Sequence, residues 1–297
     1  MKQRIGIDLG GTKTEIILTK EDPLEVIHRK RVPTGQEKGY PFMVRQIAGL
    51  VKDYLKNCSS PPSIGIGIPG TLNRKTGLVR NANTQCLIGQ PFQKDLEQAI
   101  GLPVAVENDA NCFALSEALF GAGKGHGQVM GIIMGTGMGG GLVNQGNLWA
   151  GSMGIAAEFG HSTINYNGPL CWCGNRGCLE MYLSGTAAEA NYQQKTGSFV
   201  KLAQIYQTSL TGDDLAATET LDDLVTYFGL GISNLISCFD PDIVVIGGGV
   251  SNLPLLYDRG VDAVKSHIFN DELSTPIVQN RLGDSSGVYG AALLVKP

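Results

Sequence analysis

The sequence predicts an α/β protein of two lobes, each with a mixed sheet and helices, closing on a cleft. Three observations predict it. Short buried-strand runs alternate with stretches whose apolar residues recur three and four apart, the two periods of an α/β chain. The unit at 5–19 and the unit at 129–145 share one layout of strand, glycine-rich turn and strand, which reads as an internal duplication. The stretch 284–297 reads as a final helix that packs back on the first half. The chain then passes twice between the lobes, which suits a hinge. The lobes are expected at 1–118 and 119–297.

Composition narrows the function. Of 297 residues, 42% are hydrophobic and 17% charged, enough for a sizeable core and too apolar for disorder. The formal net charge is −4 with no long basic run, which argues against a nucleic-acid partner. No apolar run reaches the roughly 18 residues of a membrane span. Met1-Lys2-Gln3-Arg4 leads straight into a strand rather than a signal peptide. With seven cysteines, an odd number, this reads as reduced thiols in the cytoplasm.

Taken in order, residues 4–8 (RIGID) form a buried strand with 15–19 as its hairpin partner. Between them stand Gly10, Gly11, Thr12 and Lys13. Glycines after a strand let backbone N–H groups approach a phosphate, and Asp8 at the strand end suits hydrated Mg²⁺. A tight hairpin with a turn aspartate explains the same residues, and no G-x-x-x-x-G-K-[ST] loop is present. Val44, Ile47, Val51 and Leu55 put an amphipathic helix over 41–58. Residues 64–68 are a buried strand whose glycines imply close backbone packing, ended by Pro69-Gly70. The polar run 81–84, with Asn83, is a turn. A helix follows with Leu96 and Ile100 inward, then a strand at 103–106. Glu107-Asn108-Asp109-Ala110-Asn111 opens a helix through Phe113, Leu115, Ala118 and Leu119. Asp109 suits its N-cap. It also stands beyond the carboxyl end of a strand, where α/β sheets place ligands.

Residues 128–134 form the next strand, 135–141 a second phosphate-type loop, and 142–144 the strand after it. Facing halves bring both glycine loops into one cleft. Later, helices are expected at 184–194 and 199–208, a polar acidic loop at 210–218, and a long helix at 219–239 ended by Asp240-Pro241. A strand at 242–246 runs into Gly247, Gly248 and Gly249, which suit close approach of a flat adenosine or make a mobile loop. Residues 255–269 are again helical, with Pro254 fitting the first turn.

The segment 158–180 holds Cys171, Cys173 and Cys178 within eight positions, and His161 stands ten before Cys171. Three thiolates and an imidazole are the ligand set of a closed tetrahedral zinc site. Pro169, Gly174 and Gly177 let the chain turn back on itself. Free core cysteines are the plain alternative. Glu158 and Glu180 bracket the cluster, so the metal reads as structural and shapes a site lined by acids.

E-x-G-H followed by C-x-C-G-x-x-G-C-x-E resembles the signature of the ROK family of sugar kinases and sugar-responsive repressors, and the match covers nearly the whole chain. D-x-G-G-T-K resembles the first phosphate loop of actin-like, hexokinase-like ATPases. The resemblance implies the two-lobed actin-like ATPase (RNase H-like, sugar kinase) fold. It implies zinc on His161, Cys171, Cys173 and Cys178, and sugar contacts from Asn83, Asn108, Asp109, Glu158, His161 and Glu180. ATP and Mg²⁺ fall to Asp8, Gly10, Gly11, Thr12, Lys13, Gly135, Thr136, Gly137, Gly139, Gly248 and Gly249. E-N-D-A-N resembles the family's catalytic segment, which makes Asp109 the general base, provided its side chain is free of the helix N–H groups. The implied reaction is ATP-dependent phosphorylation of a hexose at its 6-hydroxyl. The run 81–92 most resembles bacterial fructokinases, so D-fructose is expected first, with mannose or glucose as further substrates and N-acetylglucosamine kinase as the alternative. The family's repressors carry a DNA-binding region before the first strand. Four residues precede Ile5 here, so a sensor without kinase activity is the lesser reading, and an actin-like ATPase acting on proteins a third. The family also implies a homodimer.

Overall fold

The chain runs β1 (Gln3–Leu9), β2 (Lys13–Lys20), β3 (Val26–Pro33), α1 (Tyr40–Leu55), β4 (Ser63–Ile68), β5 (Thr71–Leu72), β6 (Val79–Arg80), α2 (Phe92–Ile100), β7 (Ala105–Asn108) and α3 (Asp109–Phe120). It continues through β8 (Gln128–Met134), β9 (Met138–Asn144), β10 (Asn147–Leu148), α4 (Glu180–Leu183), α5 (Gly185–Thr196), α6 (Leu202–Ser209), α7 (Leu215–Phe239), β11 (Ile243–Gly247), α8 (Arg259–His267), β12 (Ile277–Gln279) and α9 (Ser286–Leu293). The structure is a computed structural model that describes residues 2–20 and 25–295. Met1, where the expected leaderless start begins, and the last two positions of the expected 284–297 helix lie outside the described residues.

The duplication is visible in topology. One five-stranded sheet has the order β3-β2-β1-β4-β7 and the other β10-β9-β8-β11-β12. In each, the first three strands are antiparallel and the last three parallel. The first sheet buries Ile5, Ile7, Ile64 and Ile66 against α1 and α2. The second buries Ile132, Val244 and Ile246 beneath the long helix α7.

Two helices tie the halves together. α9 lies on β1 and β4, where a side chain at Gly65 would run into the Ala291 carbonyl. α3 packs on β8 and β9, its Ala114 pressed against Gly131 and Gly141, and Phe113 and Leu115 enter the core with Val129, Val143 and Val245. The two helices meet where Gly290 passes over the Cys112 backbone. A boundary after residue 118 therefore falls near the end of a helix whose packing belongs to the second sheet. The buried Glu117 fixes the junction. Its carboxylate accepts the N–H groups of Ala122 (2.9 Å), Arg281 (3.0 Å) and Leu282 (2.9 Å) and the Ser286 hydroxyl (3.0 Å).

Several elements differ from the sequence reading. β3, VIHRKRVP, is an edge strand with five successive exposed residues, so it carries no alternation to read. β9 begins at Met138, which places Gly139, Gly140 and Gly141 in a strand rather than a phosphate loop. They are glycines because Ala110, Phe159 and Ala114 press against them. β7 sits two residues later than expected. α7 begins at Leu215, its N-cap Asp214 accepting the Ala217 N–H, which shortens the acidic loop. The expected 255–269 helix is broken into a 3₁₀ turn, Pro254–Leu256, and α8.

Candidate active site

A cleft of about 710 Å³ opens between the sheets, within the size range of small-molecule sites. Its walls bring together Asn83, Asn108 and Asp109 from the first half with Gly135, Thr136, Gly137, Gly139, Glu158, His161 and Glu180 from the second. Asp8, the Gly10–Lys13 turn and the Gly248–Gly249 pair lie outside that volume. Gly10 N–H bonds the Lys13 carbonyl at 3.0 Å and closes the β1–β2 turn. Gly248, at φ 81°, lies against the Met134 carbonyl and so touches the strand end where the second glycine turn begins.

The helix cap belongs to Asn108, not Asp109. Asn108 Oδ1 accepts the Ala110 N–H at 2.9 Å and the Asn111 N–H at 3.3 Å, and its Nδ2 donates to the Gly70 carbonyl at 3.2 Å. Asn108 also lines the cleft, where its second Nδ2 hydrogen is left for a ligand. Glu107 braces the same corner, its Oε1 accepting the Asn108 N–H (2.9 Å) and Asn111 Nδ2 (3.0 Å). Asp109 Oδ1 shares the Ala110 N–H at 2.8 Å, and the carboxylate keeps an oxygen for the cleft.

Carboxylates dominate the electrostatics. Burial, then the Asp8 charge, raises the Asp109 pKa to about 7, against the weaker pull of the Ala110 N–H. Asp8 is raised to about 6, first by burial and then by Glu15, with Lys13 opposing. Burial raises Glu158 too; His161 opposes this and Glu180 adds to it. Glu180 is held at both oxygens. Oε2 accepts the Met138 N–H at 2.9 Å and Oε1 accepts Trp172 Nε1–H at 2.8 Å. Two non-glycine residues beside the cleft adopt left-handed backbone, Asn81 (φ 53°) and Ala157 (φ 67°), the latter just before Glu158. Strain of this kind costs about 1 kcal/mol or more and collects at functional sites.

The four atoms of the cysteine cluster converge. Cys171 Sγ lies 3.7 Å from His161 Nδ1, Cys173 Sγ lies 3.6 Å from Cys178 Sγ, and all four donor atoms are within 4.8 Å of one another. A zinc tetrahedron has edges of about 3.8 Å between sulfurs and about 3.6 Å from sulfur to nitrogen, so the donor set fits that ion. Because Nδ1 faces the sulfurs, Nε2 is on the far side of the His161 ring.

Sequence reasoning missed Trp172, which lines the cleft, and Arg80, whose Nη2 donates to the Met153 carbonyl at 2.7 Å and joins the β6 end to the segment leading to Glu158. Neither had a spacing signal.

Two duplicated mixed sheets joined by exchanged helices, with the glycine turn at 135 and Asp109 lining the cleft between them, define the actin-like ATPase fold of sugar kinases. The chain belongs to the ROK family, whose model matches residues 4–297. It is similar to N-acetyl-D-glucosamine kinases of Aliivibrio salmonicida (38% identity over 97% of this chain and 98% of that one) and Vibrio atlanticus (39%, with the same coverage). Among solved structures it resembles a ROK hexokinase from Thermus thermophilus (TM-score 0.89, 32% identity, 99% of this chain and 97% of that one). A ROK glucokinase from Streptomyces griseus in complex with glucose and AMPPNP gives TM-score 0.81 and 32% identity over 99% of each chain. A ROK transcriptional regulator also matches (TM-score 0.84, 26% identity, 98% of this chain and 77% of that one).

Proposed function

We propose that the protein transfers the γ-phosphoryl group of ATP to the 6-hydroxyl of N-acetyl-D-glucosamine. The observation that carries the kinase reading is Asp109. Asn108 does the capping, which leaves the aspartate as a partly buried carboxylate poised near pH 7 between the glycine turn at 135 and Glu158. Fructose moves behind the amino sugar, because relatives spanning 97% of the chain are named N-acetyl-D-glucosamine kinases.

Asp109 takes the proton of the attacking hydroxyl as it meets the γ-phosphate, which needs a base of matched pKa within hydrogen-bond reach. Gly11, Gly135 and Gly249 support the placing of nucleotide. None has positive φ and none has a protein atom within 4 Å of its missing side chain, so packing does not explain them, whereas a phosphate chain does. Gly139 drops from that list because Ala110 explains it. Mg²⁺ arriving with ATP would neutralise phosphate charge, and Asp8 would hold it. Asn83, Glu158, His161 and Glu180 would orient the sugar. Zinc on His161, Cys171, Cys173 and Cys178 would supply a rigid frame for His161 and for the chain leading to Glu180. The homodimer implied by the family is part of this proposal and is checked by light scattering.

Coupled ADP release across N-acetylglucosamine, glucose, mannose and fructose tests the reading. The highest kcat/KM is expected for N-acetylglucosamine. A clear preference for fructose would restore the first expectation. Binding of sugar without ADP release in any case would replace the kinase by a sensor, a function the matching regulator makes specific.

A further inference from the structure

Trp172 is 61% exposed, yet it is fixed. Its Nε1–H donates to Glu180 at 2.8 Å, and its ring meets His161 edge to face, with centroids 4.8 Å apart at 89°. The Glu180 carboxylate is anchored in turn by the Met138 N–H. An indole held on two sides and left uncovered in a polar cleft is a preformed apolar face. Its ordering cost is met before any ligand arrives.

Its position decides which part of a ligand it meets. The reacting hydroxyl has to sit at Asp109. The His161 N–H bonds the Glu158 carbonyl at 3.1 Å, and His161 and Glu180 both touch Trp172. The cleft that Asp109 lines from the first half is thus walled on the second half by Glu158, His161, Glu180 and Trp172. A pyranose with its 6-hydroxyl at Asp109 turns its C1–C2 edge toward the far end. There the Glu180 carboxylate can accept a hydroxyl or amide hydrogen, and the Nε2–H of His161, opposite the sulfur-facing Nδ1, can donate to a hydroxyl or carbonyl oxygen. The flat acetamido group and its methyl need an apolar surface, and the indole supplies a large one.

We propose that Trp172 is a specificity-determining residue that covers the 2-acetamido group of the substrate. The proposal rests on the amino-sugar kinase reading and assigns the recognition of the amide to this ring. A methyl-sized apolar contact of this kind separates substrates by about 10- to 200-fold.

The experiment compares kcat/KM for N-acetylglucosamine and for glucose in wild type, Trp172→Ala and Trp172→Phe. Trp172→Ala is expected to lower the ratio of the two at least tenfold, and Trp172→Phe to recover most of it, because the ring and not the N–H makes the contact. An equal loss on both sugars, or equal effects of the two variants, would overturn the proposal and leave the indole as a brace for Glu180. Zinc content and Tm of Trp172→Ala show whether the cysteine loop survives. If it does not, the comparison rests on Trp172→Phe and on a binding measurement. In Trp149→Phe, Trp172 is the only indole. Its fluorescence should change more with N-acetylglucosamine than with glucose at saturation, and equal changes would overturn the assignment. Wild type that phosphorylates neither sugar would sink the kinase reading, while the fluorescence arm would still decide the contact.

Discussion

Replacing Asp109 by Asn separates a base from a structural carboxylate, because the structure predicts opposite signs for activity and stability. Asn keeps an Oδ1 for the Ala110 N–H, so the 2.8 Å contact at the start of α3 survives. What is lost is the ionisable group. Loss of a general base lowers turnover by roughly 10² to 10⁴. For stability, the folded pKa of about 7 lies above the ordinary aspartate value of 3.8. Between those values the folded state holds the extra proton. This carboxylate therefore costs least at low pH and progressively more as pH rises from about 4 to 7, with the full penalty above. Raising the pKa from 3.8 to about 7 corresponds to about 4 kcal/mol. The cleft admits solvent, so about half of that, roughly 2 kcal/mol, is the working figure. In a chain of this size its removal raises Tm by about 3 °C. Thermal scans of wild type and Asp109→Asn from pH 5 to 8 should show a gain that is largest at pH 8 and shrinks toward pH 5. The wild-type kcat/KM should fall below pH about 7, and the residual activity of the variant should lack that limb. Turnover within tenfold of wild type, or a lower Tm at every pH, would refute the reasoning and return Asp109 to helix packing.

Gly135→Val should weaken ATP binding more than sugar binding with little change in Tm, because nothing lies within 4 Å of the added carbon. Gly137→Val should weaken both, since its side chain would strike Glu180, and separate calorimetric titrations distinguish the two. Cys173→Ser and chelation should each remove about one zinc per chain by metal analysis, lower Tm and raise KM for sugar, with ATP affinity spared. Glu117→Ala should destabilise by about 3 to 6 kcal/mol in denaturant titrations, because three backbone N–H groups lose a buried acceptor.

The strand, glycine turn and strand of each half were legible because local spacing carries them, and so was the convergence of the cysteine cluster, whose four donor atoms come from residues close in sequence. What failed depends on contacts between distant residues. Gly139 and Gly135 look alike in a sequence. One is small because Ala110 presses on it and the other faces open space, and only the packed structure tells them apart. Asn108 and Asp109 are both good caps, and the choice was made by Gly70 and Glu107, which hold the Asn108 amide and backbone in place. β3 escaped because an exposed edge strand needs no apolar face. Trp172 and Glu117 had no periodic signal at all, since each acts through partners on other elements.

Because α3 is clasped by the second sheet while the strand before it belongs to the first, Asp109 stands on a mechanical seam. It is delivered by one lobe and carried by the other. At the α3–α9 crossing, which joins the lobes, Gly290 brings backbone against the Cys112 backbone. A rotation of the lobes at that crossing would re-aim the carboxylate of Asp109, the first residue of α3. The same crossing means that a cut between 120 and 128 takes α9 from the first sheet and α3 from the second, leaving each with one apolar face partly uncovered. The protein should thus melt in one step, and neither half should be recoverable as an independent folded piece.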